Sequence, residues 1–434
     1  MSRRDGAVRA PGSSAFRRYL AGQAVSNVGT WMHRTAQGWL VLRLTHDSGH
    51  ALGIVVALQF LPQTLFGLYG GALADRRPKR RLLLVTQTSM SLQALVLGIL
   101  TMAGSVHLWH VYGLAFALGA ATALDGPARH AFIGELVGRD GIPRAVSLNA
   151  AQFNAARLLG PGLAGVLIAA AGTGPVFLLN AASYLTVVGV LATLRRYDEP
   201  PAPGTERRTT RMSVALRHVR TDPDLLVPIT AAAVVGTAGL NFQVTIPMAA
   251  KAVFHSDATA FGALTTAYAA GGLLGALLGA RRRGPVTAPV LLGRVAAFGL
   301  LEAAVGVMPT YGTFMALLVP TGLAAVLVTT AANAMTQCHA PPVMRGRIMS
   351  LYLLVLLGGT PLGAPLAGWT AQALGARYSL ILGGLTCLAA AAALAVAPFG
   401  RARGRGVPWP GSRERRDGRP AVAGRRRPPR HIAP

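Results

Sequence analysis

The 434 residues are 52% hydrophobic and only 13% charged, with 42 Lys plus Arg against 15 Asp plus Glu and a formal charge of +27. That balance suits a polytopic membrane protein with small aqueous segments and excludes an ordinary soluble enzyme. The positive charge gathers in loops and tails and not along one folded face, so it does not mark a nucleic-acid surface.

Apolar runs predict an all-α chain with about twelve spans, near residues 19–44, 51–74, 82–103, 108–125, 146–171, 175–194, 224–249, 259–280, 286–307, 312–333, 348–372 and 378–398. Placing the N-terminus inside puts 36 of the 42 Lys and Arg on the cytoplasmic side, the asymmetry that orients membrane proteins. Both termini are therefore expected in the cytoplasm, with the chain multi-pass in a bacterial inner membrane. The segment 1–18 contains Arg3 and Arg4 but no compact apolar region with a cleavage site, so the first helix itself is expected to direct insertion.

The first predicted helix carries Gln23, Asn27, Thr30, Arg34 and Gln37 at spacings of four, three, four and three, which puts them on one face. A mid-span Arg costs about 2.5 kcal/mol or more on insertion scales, so Arg34 needs a wet cavity or a partner. It either lines a cavity or tethers helices through backbone carbonyls or helix-end acids. His33 is turned about 100° from it and is expected to pack against another helix. The second helix adds Gln59 and Gln63, the fifth Asn149, Gln152 and Arg157, the seventh Asn241, and the tenth Asn333 and Gln337. Each amide alone could be an interhelical hydrogen bond; together they predict an amphipathic central cavity.

Between the second and third spans lies GGALADRRPKRR, Gly70 to Arg81, in which a Gly-rich helix end meets Asp75 and then five bases. The Asp75 carboxylate is placed to pair with a neighbouring Arg and latch adjacent helices. On the fifth helix, ARLLGPGLAG, Ala156 to Gly165, holds Gly160, Pro161 and Gly165, which permit close helix approach and a kink. Its counterpart TPLGAPLAG, Thr360 to Gly368, lies 203 residues later, and Ser147-Leu148 recurs as Ser350-Leu351. A same-direction repeat of six helices predicts two bundles related by an axis along the membrane normal, with substrate between them. The expected domains are a cytoplasmic segment 1–18, bundles 19–194 and 224–398, a linker 195–223 with a short amphipathic helix over Met212 to Val219, and a basic tail 399–434. The tail is too polar to fold alone and attracts anionic lipid headgroups.

Glu302 is the only acid well inside a predicted span and is the proton-coupling candidate. Pairing with Arg294, or snorkelling outward, is the competing reading. Cys338 and Cys387 fall on late helices and make neither a disulfide framework nor a metal cluster. With no Walker loop or catalytic constellation, neither an enzyme nor a self-contained ATP-driven pump is expected, and no cofactor.

The loop resembles the signature of the major facilitator superfamily between its second and third helices. Gly71, Leu73, Ala74, Asp75, Arg76, Lys79 and Arg80 match it, and Pro78 stands where a Gly is usual. ARLLGPGLAG resembles the antiporter motif of drug exporters in that superfamily. GTWMHRTAQGWLVLRLT, DGPARHAFIGELV and RGRIMSLY are similar to the bacterial branch that includes enterobactin-type siderophore exporters. The resemblance implies alternating access, with Gly71, Asp75, Arg76, Arg80, Gly160, Pro161 and Gly165 in the conformational gate. It implies proton-driven export of a small amphipathic or hydrophobic molecule by a monomer, with the proton gradient and anionic lipids as further partners. A metabolite importer or facilitator is the alternative, and a transport-dead sensor a third.

Overall fold

The computed structural model describes residues 14–195, 212–281, 284 and 286–396; within the helices it leaves out the side chains of 68–72, 74–76, 139 and 140. The expectations for residues 1–13, 196–211 and the tail from 397 lie outside the described residues, as do those for Gly71 and for the side chains of Asp75 and Arg76.

Among the described residues the chain is helical throughout, without strands. The first half contains α1 (Ser14–Leu44), α2 (Gly49–Arg76), α3 (Lys79–Met102), α4 (Leu108–Ala171) and α5 (Thr173–Thr193). The long α4 is two helices joined at Gly138, whose φ of 69° is a conformation that glycine adopts without a Cβ penalty. The linker helix α6 (Met212–Thr221) follows, two residues longer than expected. Its His218 and Arg220 lie in the last turn, where cations oppose the negative end of the helix dipole.

The second half begins with α7 (Pro223–Val234) and α8 (Phe242–Met248), each followed by a π-helical turn, at Val235–Gly239 and Ala249–Val253. It continues through α9 (Ala258–Arg281), α10 (Ala288–Val307), α11 (Tyr311–His339), α12 (Arg345–Gly358), α13 (Thr360–Ala373) and α14 (Ala376–Val396). Ten stretches are long and apolar enough to cross a membrane. The other two predicted spans form helix as well, but α1 carries the polar stripe and the first part of α4 carries Asp125 and Arg129. Large apolar side chains such as Val85, Leu163, Leu185 and Leu300 face outward, as a hydrocarbon surround requires.

Small residues bring the helices together, because lipid removes the hydrophobic drive between them and leaves close packing to replace it. A Cβ at Gly160 would collide with the Trp31 side chain of α1, and one at Gly165 with the backbone around Ala258 and Gly262 of α9. At the same 203-residue offset, a Cβ at Gly363 would meet the Thr237 carbonyl, and one at Gly368 the Gly49 carbonyl of α2. Positions equivalent in the repeat thus make equivalent contacts: α4 on α1 and α9, α13 on the first π turn and α2.

The contacts α4 to α9 and α2 to α13 join the two halves at the end that carries the α1–α2 loop. There Asp47 pairs with Lys251 at 2.5 Å, and the Gly49 amide donates to Gln372 Oε1 at 2.7 Å. Trp39 stacks on Phe261 with centroids 5.8 Å apart, and the Lys251 ammonium lies 5.7 Å from the same indole.

The α2–α3 loop is tied into the first half instead. Lys79 pairs with Glu135 at 3.0 Å, and buried Arg80 donates through Nε to the Leu191 carbonyl at 2.6 Å, at the negative end of α5.

Candidate functional site

Beneath the closed end, the two halves enclose a cavity of about 280 Å³. From the first half, α1 contributes Trp31, Arg34 and Thr35, α2 contributes Gln59 and Phe60 among aliphatic neighbours, and α4 contributes Arg157. From the second half come Phe242, Gln243, Ile246 and Pro247 of α8, Phe261, Thr265 and Tyr268 of α9, and Leu357 and Thr360 at the α12–α13 break.

The chemistry of the lining is two cations held by aromatic faces. The Arg34 guanidinium lies 5.2 Å from the Trp31 ring and 5.7 Å from Phe60; Arg157 lies 5.7 Å from the same Trp31 ring and 5.8 Å from Tyr268. All four distances fall within the range in which a ring quadrupole attracts a cation. The Nε of Arg34 is buried and has no hydrogen-bond partner. No Asp or Glu lines the cavity among the described residues.

Of the residues expected there from sequence, the structure brings Arg34, Gln59 and Arg157 together. Gln37 sits just behind Gln59, fully buried, and accepts a hydrogen bond from it at 2.6 Å. Gln23, Asn27 and Thr30 turn into the first half. Gln23 donates to the Tyr19 hydroxyl, Asn27 accepts from Arg129, and Thr30 donates to Tyr184 Oη at 3.0 Å. Gln152 donates to Asn149 along α4, and Gln337 to Asn333 along α11. Asn241 begins α8 and donates to the Thr237 and Ala238 carbonyls that the π turn leaves free. Gln63 lies one turn beyond Gln59 on α2, outside the lining. His33 packs edge-on against Phe177 at 4.9 Å, as its position on the wheel suggests.

Glu302 is 2% exposed, and its Oε2 has no hydrogen-bond partner. Arg294 is eight residues earlier on the same helix, about 12 Å along the axis, and its Nη1 donates to the Leu327 carbonyl. The two therefore do not form a direct pair. The Glu302 carboxyl lies against Gly239 and Gly383, where a Cβ on either would crowd it. Gly239 ends the first π turn, and the residues that follow include Leu240, Phe242, Gln243, Ile246 and Pro247, part of the second-half wall of the cavity.

Sequence reasoning missed two features. The aromatic wall has no periodic signal, because Trp31, Phe60, Phe242 and Tyr268 come from four separate helices. The other is a buried cluster on Asp125, whose carboxylate accepts from Thr86 at 2.9 Å and Gln87 at 2.8 Å and pairs with Arg129. The Asp-x-x-x-Arg spacing within one helix was its available signal.

Residues 10–403 match the family described as transmembrane secretion effector. The chain is 26% identical over 253 residues to the staphyloferrin A transporter of Staphylococcus aureus, covering 58% of this chain and 63% of that relative's length. It is 26% identical over 356 residues to the multidrug efflux pump Tap of Mycolicibacterium fortuitum, covering 79% of this chain and 86% of the pump. In three dimensions it resembles a bacterial homologue of the human lysosomal transporter Spinster, in an inward-facing, occupied conformation. The TM-score is 0.67 at 15% identity, over 90% of this chain and 98% of the other.

Proposed function

We propose, from the premise that this chain belongs to the transmembrane secretion effector family of major facilitator transporters, that it exports a small amphipathic molecule across a bacterial inner membrane by alternating access. The observation that carries the reading is the cavity shared between the halves and closed at one end by contacts of small residues, Gly49 and Gly53 on α13, Gly165 and Gly262 between α4 and α9. Such contacts are short backbone approaches between otherwise intact helices, so the halves 19–194 and 224–398 can rock as bundles and expose the cavity to either side in turn.

Drugs and siderophores are the substrate classes that the relatives' names support. The chain acts as a monomer with both termini in the cytoplasm, as a carrier and not an enzyme. The linker 195–223 and the basic tail lie along the anionic inner leaflet.

Export is coupled to the proton gradient, and Glu302 is the coupling group. Its contact with the π turn supports this assignment, since a change of charge at Glu302 acts on the backbone that leads directly to Phe242 and Gln243 in the cavity wall. Gly71, Asp75, Arg76 and Arg80 control the opposite gate.

The test is accumulation of fluorescent drugs and a catecholate siderophore in efflux-deficient bacteria expressing the chain, with and without a protonophore. The expected outcome is lower accumulation that the protonophore reverses, and a Glu302→Gln variant that reaches the membrane at wild-type abundance but exports without protonophore sensitivity. Raised accumulation would make the protein an importer. Unchanged accumulation of every probe, with the protein in the membrane, would refute export of these classes.

A further inference from the structure

Among the described residues the cavity lining holds two guanidinium groups and no carboxylate, and the two cations face one indole ring. In a site walled by aromatic and aliphatic side chains, like charges repel more strongly than in water. A cation buried in a membrane protein ordinarily pairs with an acid or with backbone carbonyls. Elsewhere in this chain the rule is followed. Arg129 has Asp125, Lys79 has Glu135, Lys251 has Asp47, and Arg80 caps the carbonyl end of α5. Among the described residues no acid pairs with Arg34 or Arg157; the two guanidinium groups lie against the faces of Trp31, Phe60 and Tyr268, and the buried Nε of Arg34 has no hydrogen-bond partner.

The manner of holding matters as much as the charge. A guanidinium attracted to ring faces is fixed in place while its N–H donors, five per Arg, are not consumed by the rings. Those donors form a planar fork that matches an oxyanion bidentately. The rest of the lining suits an apolar body: Phe242, Phe261, Ile246 and Pro247 come from the second half, and Gln59 and Gln243 offer neutral hydrogen bonds. A cation entering the site would meet two guanidinium groups with no acid among the described lining residues to offset the repulsion.

We infer that the substrate is an amphipathic anion, an aromatic or otherwise apolar molecule bearing a carboxylate or comparable oxyanion, which completes the charge balance of Arg34 and Arg157 when it binds. This inference rests on the export reading of the same cavity.

The full chain in lipid nanodiscs would be titrated with two probes that share one fluorophore, anionic dansylglycine and cationic dansylcadaverine. Dansylglycine is expected to bind at least about ten-fold more tightly, consistent with charged hydrogen bonds gained on one side only. Arg34→Gln and Arg157→Gln should each weaken dansylglycine by about ten-fold while changing dansylcadaverine less than about two-fold, and Arg34→Lys should restore part of the loss. The Lys variant and a melting curve for each protein separate loss of charge recognition from loss of folding.

Equal or tighter binding of the cation, or indifference of dansylglycine to both Gln substitutions, would overturn the inference. Proteoliposome transport distinguishes it from the premise. Arg-dependent binding of dansylglycine without transport by the wild type would support the charge assignment and count against export. Transport of dansylcadaverine that survives both substitutions would support a carrier and overturn the anionic substrate.

Discussion

Helix α1 and the segment Pro223–Val253 open the two halves of the repeat and face one another across the cavity, yet they are built differently. The first is an unbroken helix of 31 residues whose polar face is bonded into its own half and whose Arg34 brings charge to the site. The second brings no charge to the cavity, where Gln243 is its polar residue, contains Pro228 and Pro247, and relaxes twice into π turns. Each π turn widens the backbone ring by one residue, and the first leaves carbonyls of Thr237 and Ala238 that the Asn241 side chain satisfies. One half therefore supplies the fixed electrostatics of the site, and the other a wall whose register can shift. The proposed alternating access needs both a recognisable ligand geometry and a deformable element, and the two features lie in different halves of this chain.

The largest test of this comparison addresses what the halves share. Gly165→Leu and Gly368→Leu occupy equivalent positions and face the backbone of the opposite half. Each should lower export at least about ten-fold at unchanged membrane abundance, because the α1–α2 end can no longer close. Tolerance of one substitution alone would show that the two seams are not equivalent.

A smaller effect tests the rigidity of the first half. Arg80→Ala removes a buried donor from the carbonyls ending α5 and should destabilise the protein by about 1–3 kcal/mol, seen as a lower apparent melting temperature in detergent. An unchanged melting temperature would mean that this tether does not hold the first half together.

The smallest effect concerns the ion pair that crosses between halves, Asp47 with Lys251. Its side chains are 38% and 24% exposed, so solvent limits its worth to about 0–1 kcal/mol. Lys251→Ala should shift the balance of open and closed states by no more than about five-fold, read from the distance between spin labels on cysteines introduced at the exposed positions His50 and Ala252, with Cys338 and Cys387 replaced. A larger shift would make the pair a principal latch and weaken the case for small-residue seams.

Much of the fold could be read in the sequence because ten of the twelve predicted spans announce themselves by length and hydropathy, and the 203-residue offset pairs Gly160 with Gly363 and Gly165 with Gly368, which sit at close helix contacts. The π turns could not be read as such. Their only trace is the 31-residue length of Pro223–Val253 and its prolines, which fit equally well with a tilted continuous helix.

The candidate site was half readable. The spacing along α1 predicts one polar face for Gln23, Asn27, Thr30, Arg34 and Gln37, but what these residues meet changes along the helix. Near its start it meets α4 and α5, so Gln23, Asn27 and Thr30 bond within the half. Further along, the halves part, and Arg34 meets the cavity. Periodicity gives a direction but not a neighbour. The counter-charge problem of Arg34 and Arg157 was equally out of reach, since it depends on which acids are absent from a space that only the folded chain defines.

The stack of Trp39 on Phe261 at the closed end has a consequence for observation. The indole belongs to one half, the phenyl ring and the Lys251 ammonium to the other, and all three converge where the halves must part. Trp39 is 8% exposed in this state, so separation would move it from a packed, cation-flanked setting into water and shift its emission to the red. The chain thus carries its own optical reporter of that end, and a protein retaining Trp39 as its sole tryptophan would show opening and closing in real time without an attached dye.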